Sequence, residues 1–250
     1  MQKLNKIQEK NQNKSRTDTE AKDNGKSRDA RINRNEVDIL KNLNHMYLPQ
    51  VVDFFEENGE IYTAMSFIPG RSLKELMEER RQFSQRQLIR WAMQLCSALN
   101  YLHTQTPPII HGDIKPANIM VTPRGDVCLI DFNVSFAVNG NTVLGYTEGY
   151  ASPEQYIIAL DSREGRELPQ YRVIDEKSDI YSTGATLFHL ITGKKAGRNR
   201  TKAEEYLLKN YVSEAFAAVI LKAMDPKSEK RYKNAREMFQ ALQNVYKKDA

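Results

Sequence analysis

The sequence predicts an α+β fold, with a small strand-bearing front piece followed by a larger and mainly helical body. Two β-rich runs, QVVDFFEE and EIYTAMSF, flank Asn58-Gly59, a dipeptide typical of tight hairpin turns. Beyond Pro69-Gly70, apolar residues recur at the three- and four-residue spacing of amphipathic helices. At 250 residues the chain is long enough to bury a substantial core.

The front piece begins with a polar segment. Residues 1–30 show no sustained periodicity, and we expect them to be disordered. A helical pattern runs from Arg31 to Leu43, and the hairpin follows it. The folded part of the chain is therefore predicted to be residues 31–250.

Start and stop signals define the helices of the body. Ser72 with Glu75, and Ser84 with Gln87, fit the capping box, and the second helix should end before the prolines at 107 and 108. Later in the chain, a short strand, VCLIDF, precedes an irregular segment at 132–152 and a polar excursion at 161–177. Ser178 and Gly193 are then predicted to bound an apolar helix, and further helical patterns lie near residues 203–209, 213–224 and 234–247.

The net charge of +5 does not indicate a nucleic-acid-binding protein. Residues 1–35 hold ten Lys or Arg against five Asp or Glu, and the remaining residues carry equal numbers of both signs. This basic segment lacks aromatic residues and is typical of a solvated tail. We therefore predict no nucleic-acid partner.

The apolar segments and the cysteines indicate the compartment. No run approaches the roughly eighteen apolar residues of a membrane span, and the first residues lack the apolar core of a signal peptide. Cys96 and Cys128 lie within apolar segments and are interpreted as buried thiols rather than a disulfide or metal pair. The cytoplasm is the expected location.

The decapeptide HGDIKPANIM, residues 111–120, concentrates polar groups behind a core helix. Asp113, Lys115 and Asn118 supply a carboxylate, an ammonium and an amide, and Asp131 ends the following strand. Singly, each residue is better explained as a turn former, a surface charge or a cap. Together they match the needs of phosphoryl transfer, which uses metal ligands, a group that orients the attacking hydroxyl and positive charge.

The order and spacing of three motifs resemble those of serine/threonine protein kinases. HGDIKPAN resembles their catalytic loop, Asp131-Phe132-Asn133 their metal-binding Asp-Phe-Gly, and Ser152-Pro153-Glu154 their Ala-Pro-Glu. The resemblance implies a two-lobed protein-kinase-like fold. Residues 31–68 would form a truncated small β-lobe and residues 69–250 a mainly helical large lobe.

The resemblance also implies a role for each motif residue. Asp113 would orient or deprotonate the hydroxyl of a serine or threonine in a protein substrate, and Lys115 would hold the γ-phosphoryl group of ATP. Asn118 and Asp131 would ligate Mg²⁺, and Thr147 would line the acceptor site. Beneath the site, Glu154 would pair with Arg231, and Asp179 would anchor the catalytic loop.

In the small lobe, the resemblance implies five residues around the nucleotide. Glu36 corresponds to the glutamate that binds a strand lysine, and Met65 would lie behind the adenine. The alternative for Glu36 is a solvated helix glutamate, and the alternative for Met65 is plain packing in the core. Ser66 and Ile68 would offer backbone groups to the base. Lys6 is the candidate strand lysine.

The chain departs from the family pattern in three respects. Gly112 replaces the arginine that meets an activation-segment phosphate, and Asn133 replaces a glycine, which the left-handed tolerance of asparagine permits. More seriously, a single glycine, Gly25, precedes Glu36, so no glycine-rich loop is encoded there. Either the recorded chain begins late, or part of the ATP site has been lost.

Two alternatives to an active protein kinase stay open. The first is a kinase-fold binding or scaffold module without transfer activity, favoured by the lack of a glycine-rich loop. The second is a small-molecule phosphotransferase, since His-Gly-Asp also occurs in the aminoglycoside-kinase-like branch. Lys115, Thr147 and the Ser-Pro-Glu segment favour the protein kinases.

Overall fold

The computed structural model describes residues 41–57, 60–131, 146–165, 174–196, 200–209 and 212–248, all within one compact unit, Arg34–Ala250. The predicted disordered segment, most of the helical pattern from Arg31, Lys6, Glu36 and Asn133 lie outside these residues. None of the described helices is both long and apolar enough to cross a membrane.

The strands are β1 (Val51–Glu57), β2 (Glu60–Met65), β3 (Arg71–Ser72), β4 (Ile119–Val121) and β5 (Val127–Leu129). The α-helices are α1 (Leu73–Glu78), α2 (Gln85–His103), α3 (Pro153–Arg163), α4 (Glu176–Thr192), α5 (Arg200–Lys209), α6 (Glu214–Ala223) and α7 (Ala235–Lys248).

The described strands form two antiparallel sheets. β1 and β2 make the predicted hairpin, in which Glu57 lies opposite Glu60. β3, β4 and β5 make a second sheet in that order. Only β5 of this sheet was predicted, and it is shorter than the VCLIDF run. The front strands and the helical body confirm the α+β prediction.

Helix α2 forms the centre of the helical body. Its buried face carries the apolar residues that the sequence pattern identified, and it packs most extensively against α7. Ser84 accepts a hydrogen bond from the Gln87 N–H at 3.2 Å, so this serine caps the helix as predicted. At Ser72 the full reciprocal capping box with Glu75 is present.

Polar side chains of α2 hold the turn between β4 and β5. Trp91 Nε1 donates to the Gly125 carbonyl oxygen at 2.8 Å, and Gln94 Nε2 donates to Asp126 Oδ1 at 2.7 Å. Arg90 also binds Asp126, and these hydrogen bonds hold the pKa of this carboxyl below its usual range. The strand that leads to Asp131 is therefore fixed to the core helix.

Helix α4 begins three residues earlier than the sequence indicated. Asp175, and not Ser178, is the N-cap, because its Oδ1 accepts the Lys177 N–H at 2.9 Å. The Ser178 prediction was wrong, and its hydroxyl instead donates to Glu154 Oε1 at 2.9 Å. Gly193 ends the helix with a left-handed φ of 66°, as predicted.

Both cysteines are buried and free, as the sequence indicated. Cys96 is 1% exposed and Cys128 is 3% exposed. Burial raises the pKa of each thiol to about 12. Both side chains therefore stay protonated and act as small apolar groups.

A buried ion pair joins α3 to the segment before α7. Arg231 donates through Nη1 to Glu154 Oε1 at 2.6 Å and through Nη2 to Oε2 at 2.9 Å, which confirms the predicted pair. The guanidinium also donates to the carbonyl oxygens of Asp225 and Lys177. Burial, the largest single influence, raises the pKa of Glu154, but the hydrogen bonds and charge of Arg231 outweigh it and lower that pKa overall.

Glu154→Gln is expected to lower the free energy of unfolding by about 3 kcal/mol, because it leaves the buried guanidinium without a counter-charge. Chemical denaturation measures this loss. The matched control is Glu78→Gln, which removes a carboxylate from an exposed pair with Lys74 and should cost less than about 1 kcal/mol. Equal losses of unfolding free energy in the two variants would show that burial does not determine how much an ion pair contributes to stability here.

The same pair predicts a pH dependence with a definite sign. Because the folded protein holds the pKa of Glu154 below its ordinary value of 4.5, ionised Glu154 contributes stability above pH 4.5. That contribution is lost as the pH falls through the lowered pKa. The difference in unfolding free energy between the parent and Glu154→Gln should therefore shrink below pH 4.5, as measured by denaturation at several pH values.

Candidate active site

The catalytic-loop motif is fixed from beneath by the buried carboxylate of Asp179. Its Oδ2 accepts the His111 N–H at 2.9 Å and its Oδ1 accepts the Gly112 N–H at 2.8 Å. His103 Nε2 lies 2.8 Å from Oδ2. Burial alone raises the pKa of Asp179, but the hydrogen bonds from the His103 ring and the Gly112 N–H, together with the electrostatic effect of the two histidine rings, lower it overall. The predicted anchor is confirmed, and it is an ionised one.

His111 joins the loop to the residue before Asp131. Its Nε2 lies 3.0 Å from the Ile130 carbonyl oxygen, which can only accept, so Nε2 carries the proton. Its Nδ1 accepts the Asp113 N–H at 3.3 Å. Burial lowers the pKa of His111 despite the raising effect of nearby carboxylates, so the ring is neutral at pH 7. The sequence motif did not reveal this connection.

Four of the predicted site residues meet at the Asp113 carboxylate. The Thr147 hydroxyl donates to Oδ1 at 2.8 Å, and Lys115 Nζ lies 2.6 Å from Oδ2. Asn118 Nδ2 donates to Oδ2 at 3.0 Å and to the Asp113 carbonyl oxygen at 2.9 Å. Lys115 Nζ also donates to Thr147 Oγ1 at 3.0 Å. The Asp113 and Lys115 side chains are 24% and 25% exposed, so a ligand can reach this cluster.

The oxygen donors suited to Mg²⁺ are Asn118 and Asp131. The Ile130 N–H donates to the Asn118 carbonyl oxygen at 2.9 Å, and the exposed Asp131 follows Ile130 directly in the chain. The Asn118 side chain donates both of its hydrogen bonds to Asp113 from Nδ2, so its Oδ1 is not the atom that contacts Asp113. In the described ranges, no three His, Cys, Asp or Glu side chains form a metal cluster. Mg²⁺ needs only one or two protein oxygens beside water and phosphate, so this donor set fits it.

Gly112 adopts a backbone conformation that side chains rarely permit. Its φ is 74°, which lies in the left-handed region. Gln155, which is fully buried, donates from Nε2 to the Gly112 carbonyl oxygen at 2.9 Å and accepts the Ser152 N–H at 3.0 Å. Sequence reasoning missed Gln155. A glycine in a position where the family has arginine was the available signal for an unusual backbone.

The residues expected at the base lie where β2 leads into the second sheet. Met65 ends β2 and is packed, partly buried, against the core. The Ser66 N–H donates to the Gln50 carbonyl oxygen at 2.8 Å, so this N–H already has a partner within the protein. Ile68 is half-buried. The nucleotide roles of these residues, and those of Lys6 and Glu36, stay predictions.

Known proteins resemble the chain over most of its length. The protein kinase domain family model matches residues 5–250. A probable serine/threonine-protein kinase of Clostridium acetobutylicum is 30% identical over 212 residues, or 78% of this chain and 30% of the relative. Serine/threonine-protein kinase B of Synechocystis is 28% identical over 219 residues, or 80% of this chain and 35% of the relative. The chain thus spans about a third of the length of these curated relatives.

Solved structures share the fold at low identity. The PknI kinase domain of Mycobacterium tuberculosis superposes with a TM-score of 0.63 and 20% identity, covering 84% of this chain and 77% of that chain. Rad53 residues 1–466, solved in complex with AMP-PNP, gives a TM-score of 0.65 at 21% identity over 85% and 54%. The protein-kinase-like fold prediction is confirmed. From the family match, the motifs and the fold together, we conclude that this chain belongs to the protein kinase family.

Proposed function

We propose that this chain is a serine/threonine protein kinase, which moves the γ-phosphoryl group of Mg-ATP to a hydroxyl of a protein. The observation that carries the proposal is the contact of Lys115, Asn118 and Thr147 with one partly exposed carboxylate, Asp113. Phosphoryl transfer depends on positioning and charge rather than covalent chemistry. A carboxylate that is held by three different donors provides the positioning.

The chain's own residues would divide the work as follows. Asp113 Oδ1 has a second lone pair beside the Thr147 bond, and it would accept the hydrogen of the substrate hydroxyl. Lys115 would set its positive charge against the moving phosphoryl group. Asn118 Oδ1 and Asp131 would hold Mg²⁺, which offsets phosphate charge when bound.

A cavity beside Thr147 supports a protein substrate. Its volume is about 1130 Å³, and its lining includes Glu148, Gly149 and Lys195 together with residues of α3, α4, α5 and α6. Two of its lining residues, Tyr146 and Glu148, flank Thr147, whose hydroxyl contacts Asp113. A polypeptide whose acceptor lay at Asp113 could place a neighbouring side chain there. This room favours a protein over a small-molecule acceptor.

Asp113→Asn is expected to lower phosphate transfer by at least about a hundredfold while leaving the fold and nucleotide binding intact. The amide has nearly the same shape but cannot accept the hydroxyl proton. A radiolabel transfer assay on a peptide mixture measures the loss, and Asp161→Asn in α3 serves as the matched control. Transfer at the parental rate would remove Asp113 from its role.

Asp131→Ala is expected to weaken Mg-nucleotide binding, because one hard oxygen ligand is lost. Raised Mg²⁺ should restore part of the affinity through mass action. Calorimetry of nucleotide binding at several magnesium concentrations measures this effect. An unchanged dependence on magnesium would exclude Asp131 as a ligand.

Weak Mg-ATP binding and slow transfer are expected for residues 1–250, because the sequence before Glu36 contains one glycine and cannot supply a glycine-rich phosphate cover. A thermal shift with Mg-ATP measures binding. If Lys6 is the strand lysine, Lys6→Met should abolish the residual shift while Lys3→Met, its matched control, should not. Tight binding by the parent would show that another segment covers the phosphates.

A further inference from the structure

A hydrogen bond outside the cluster joins the segment after Thr147 to helix α4. The Tyr150 hydroxyl lies 2.5 Å from His189 Nδ1, and the two ring centroids are 5.7 Å apart. Tyr150 is 7% exposed, and His189 lies in the last turn of α4. Neither residue belongs to the motifs that the sequence identified.

The protonation states give this hydrogen bond a direction. Burial raises the pKa of Tyr150 to about 12, and burial together with the charge of Lys195 lowers the pKa of His189. Both groups are therefore neutral at pH 7. The phenol donates, and the unprotonated Nδ1 accepts.

Tyr150 is coupled to the cluster through a tight turn. The Tyr150 N–H donates to the Thr147 carbonyl oxygen at 3.1 Å, and the Ala151 N–H donates to the same oxygen at 3.0 Å. The hydroxyl of that same Thr147 binds both Asp113 and Lys115. Fixing the phenol therefore restricts where the Thr147 hydroxyl can lie.

The turn leaves little room for rearrangement. Gly149 has a φ of 88°, and a Cβ built on it would lie 2.8 Å from the Cβ of Lys195. The Lys195 stem thus covers the turn, while its Nζ lies 5.8 Å from the centroid of the Tyr150 ring. Tyr150 is therefore held both by packing against Lys195 and by the hydrogen bond to His189.

We propose that Tyr150 and His189 are a positioning pair, which sets the Thr147 hydroxyl against Asp113 from the last turn of α4. Asp179 in the first turn of the same helix holds the other side of the cluster through His111 and Gly112. One rigid helix thereby fixes both the carboxylate and its hydroxyl partner. Among the described residues, the pair makes no hydrogen bond to Asp113 itself, and its kinetic effect rests on the proposed function.

The kinetic test compares four variants with the parent. Tyr150→Phe and His189→Leu should each lower kcat for peptide transfer about tenfold, since small displacements of catalytic groups are costly. The double variant should lose no more than either single one, because both remove the same bond. His189→Asn should keep most of the activity, since its amide oxygen can replace Nδ1 as acceptor. The KM for ATP should be unchanged throughout.

The matched control is Tyr232→Phe, which removes a hydroxyl from a tyrosine of similar burial, 4% exposed, whose ring lies against Lys222. It should leave kcat unchanged. Additive losses in the double variant, parental kcat in His189→Leu, or equal losses in Tyr150→Phe and Tyr232→Phe would each overturn the proposal.

A second measurement separates this proposal from the proposed function. Amide hydrogen exchange at Tyr150 and Ala151 reports the turn directly, with or without transfer activity. Exchange at both amides should accelerate about tenfold in Tyr150→Phe and His189→Leu, but not in His189→Asn or Tyr232→Phe. If the parent transfers no phosphate but exchange follows this pattern, the proposed function fails and the positioning pair stands. Unchanged exchange in the first two variants overturns the pair.

Discussion

The buried carboxylate of Asp179 is the interaction on which the geometry of the site depends. An ionised carboxylate is costly to bury unless donors surround it. Here the donors are the backbone N–H groups of His111 and Gly112 and the ring of His103. Backbone donors can reach one carboxylate together in only a narrow range of conformations. Satisfying the charge of Asp179 therefore also fixes the path of the loop that carries Asp113.

The two histidines around this carboxylate are constrained by the same requirement. His103 Nδ1 is buried and has no hydrogen-bond partner in the part of the chain that the structure describes. A proton there would be an unsatisfied buried donor, so the geometry favours a proton on Nε2, directed at Asp179. His111 likewise carries its proton on Nε2, directed at Ile130. The carboxylate thus receives ring and backbone donors, while Ile130 is tied to the loop.

Local sequence predicted those parts of the structure that depend on local contacts. Asp113 and Asn118 meet across five residues, and the Ser72 cap spans three, so spacing alone indicates them. β3 has only two residues, which is too short for an alternating pattern, so the sequence did not predict this strand. At α4 both Asp175 and Ser178 are residue types that cap helices, and in the folded chain Asp175 accepts the Lys177 N–H while the Ser178 hydroxyl donates to Glu154 on another helix. Gln155 and His189 act across 43 and 39 residues, which no spacing rule covers.

Gly112 shows how a departure from the family pattern can be a structural solution. The resemblance implies an arginine here, whose charge would meet a phosphate on the activation segment. In this chain both polar backbone groups of Gly112 are hydrogen-bonded. Its N–H donates to Asp179, and its carbonyl oxygen accepts from Gln155. Both partners are fully buried, and φ is 74°, a value that an arginine would adopt only under strain. The loop is therefore held by neutral and charged groups of the folded core, which are present whether or not the activation segment carries a phosphate.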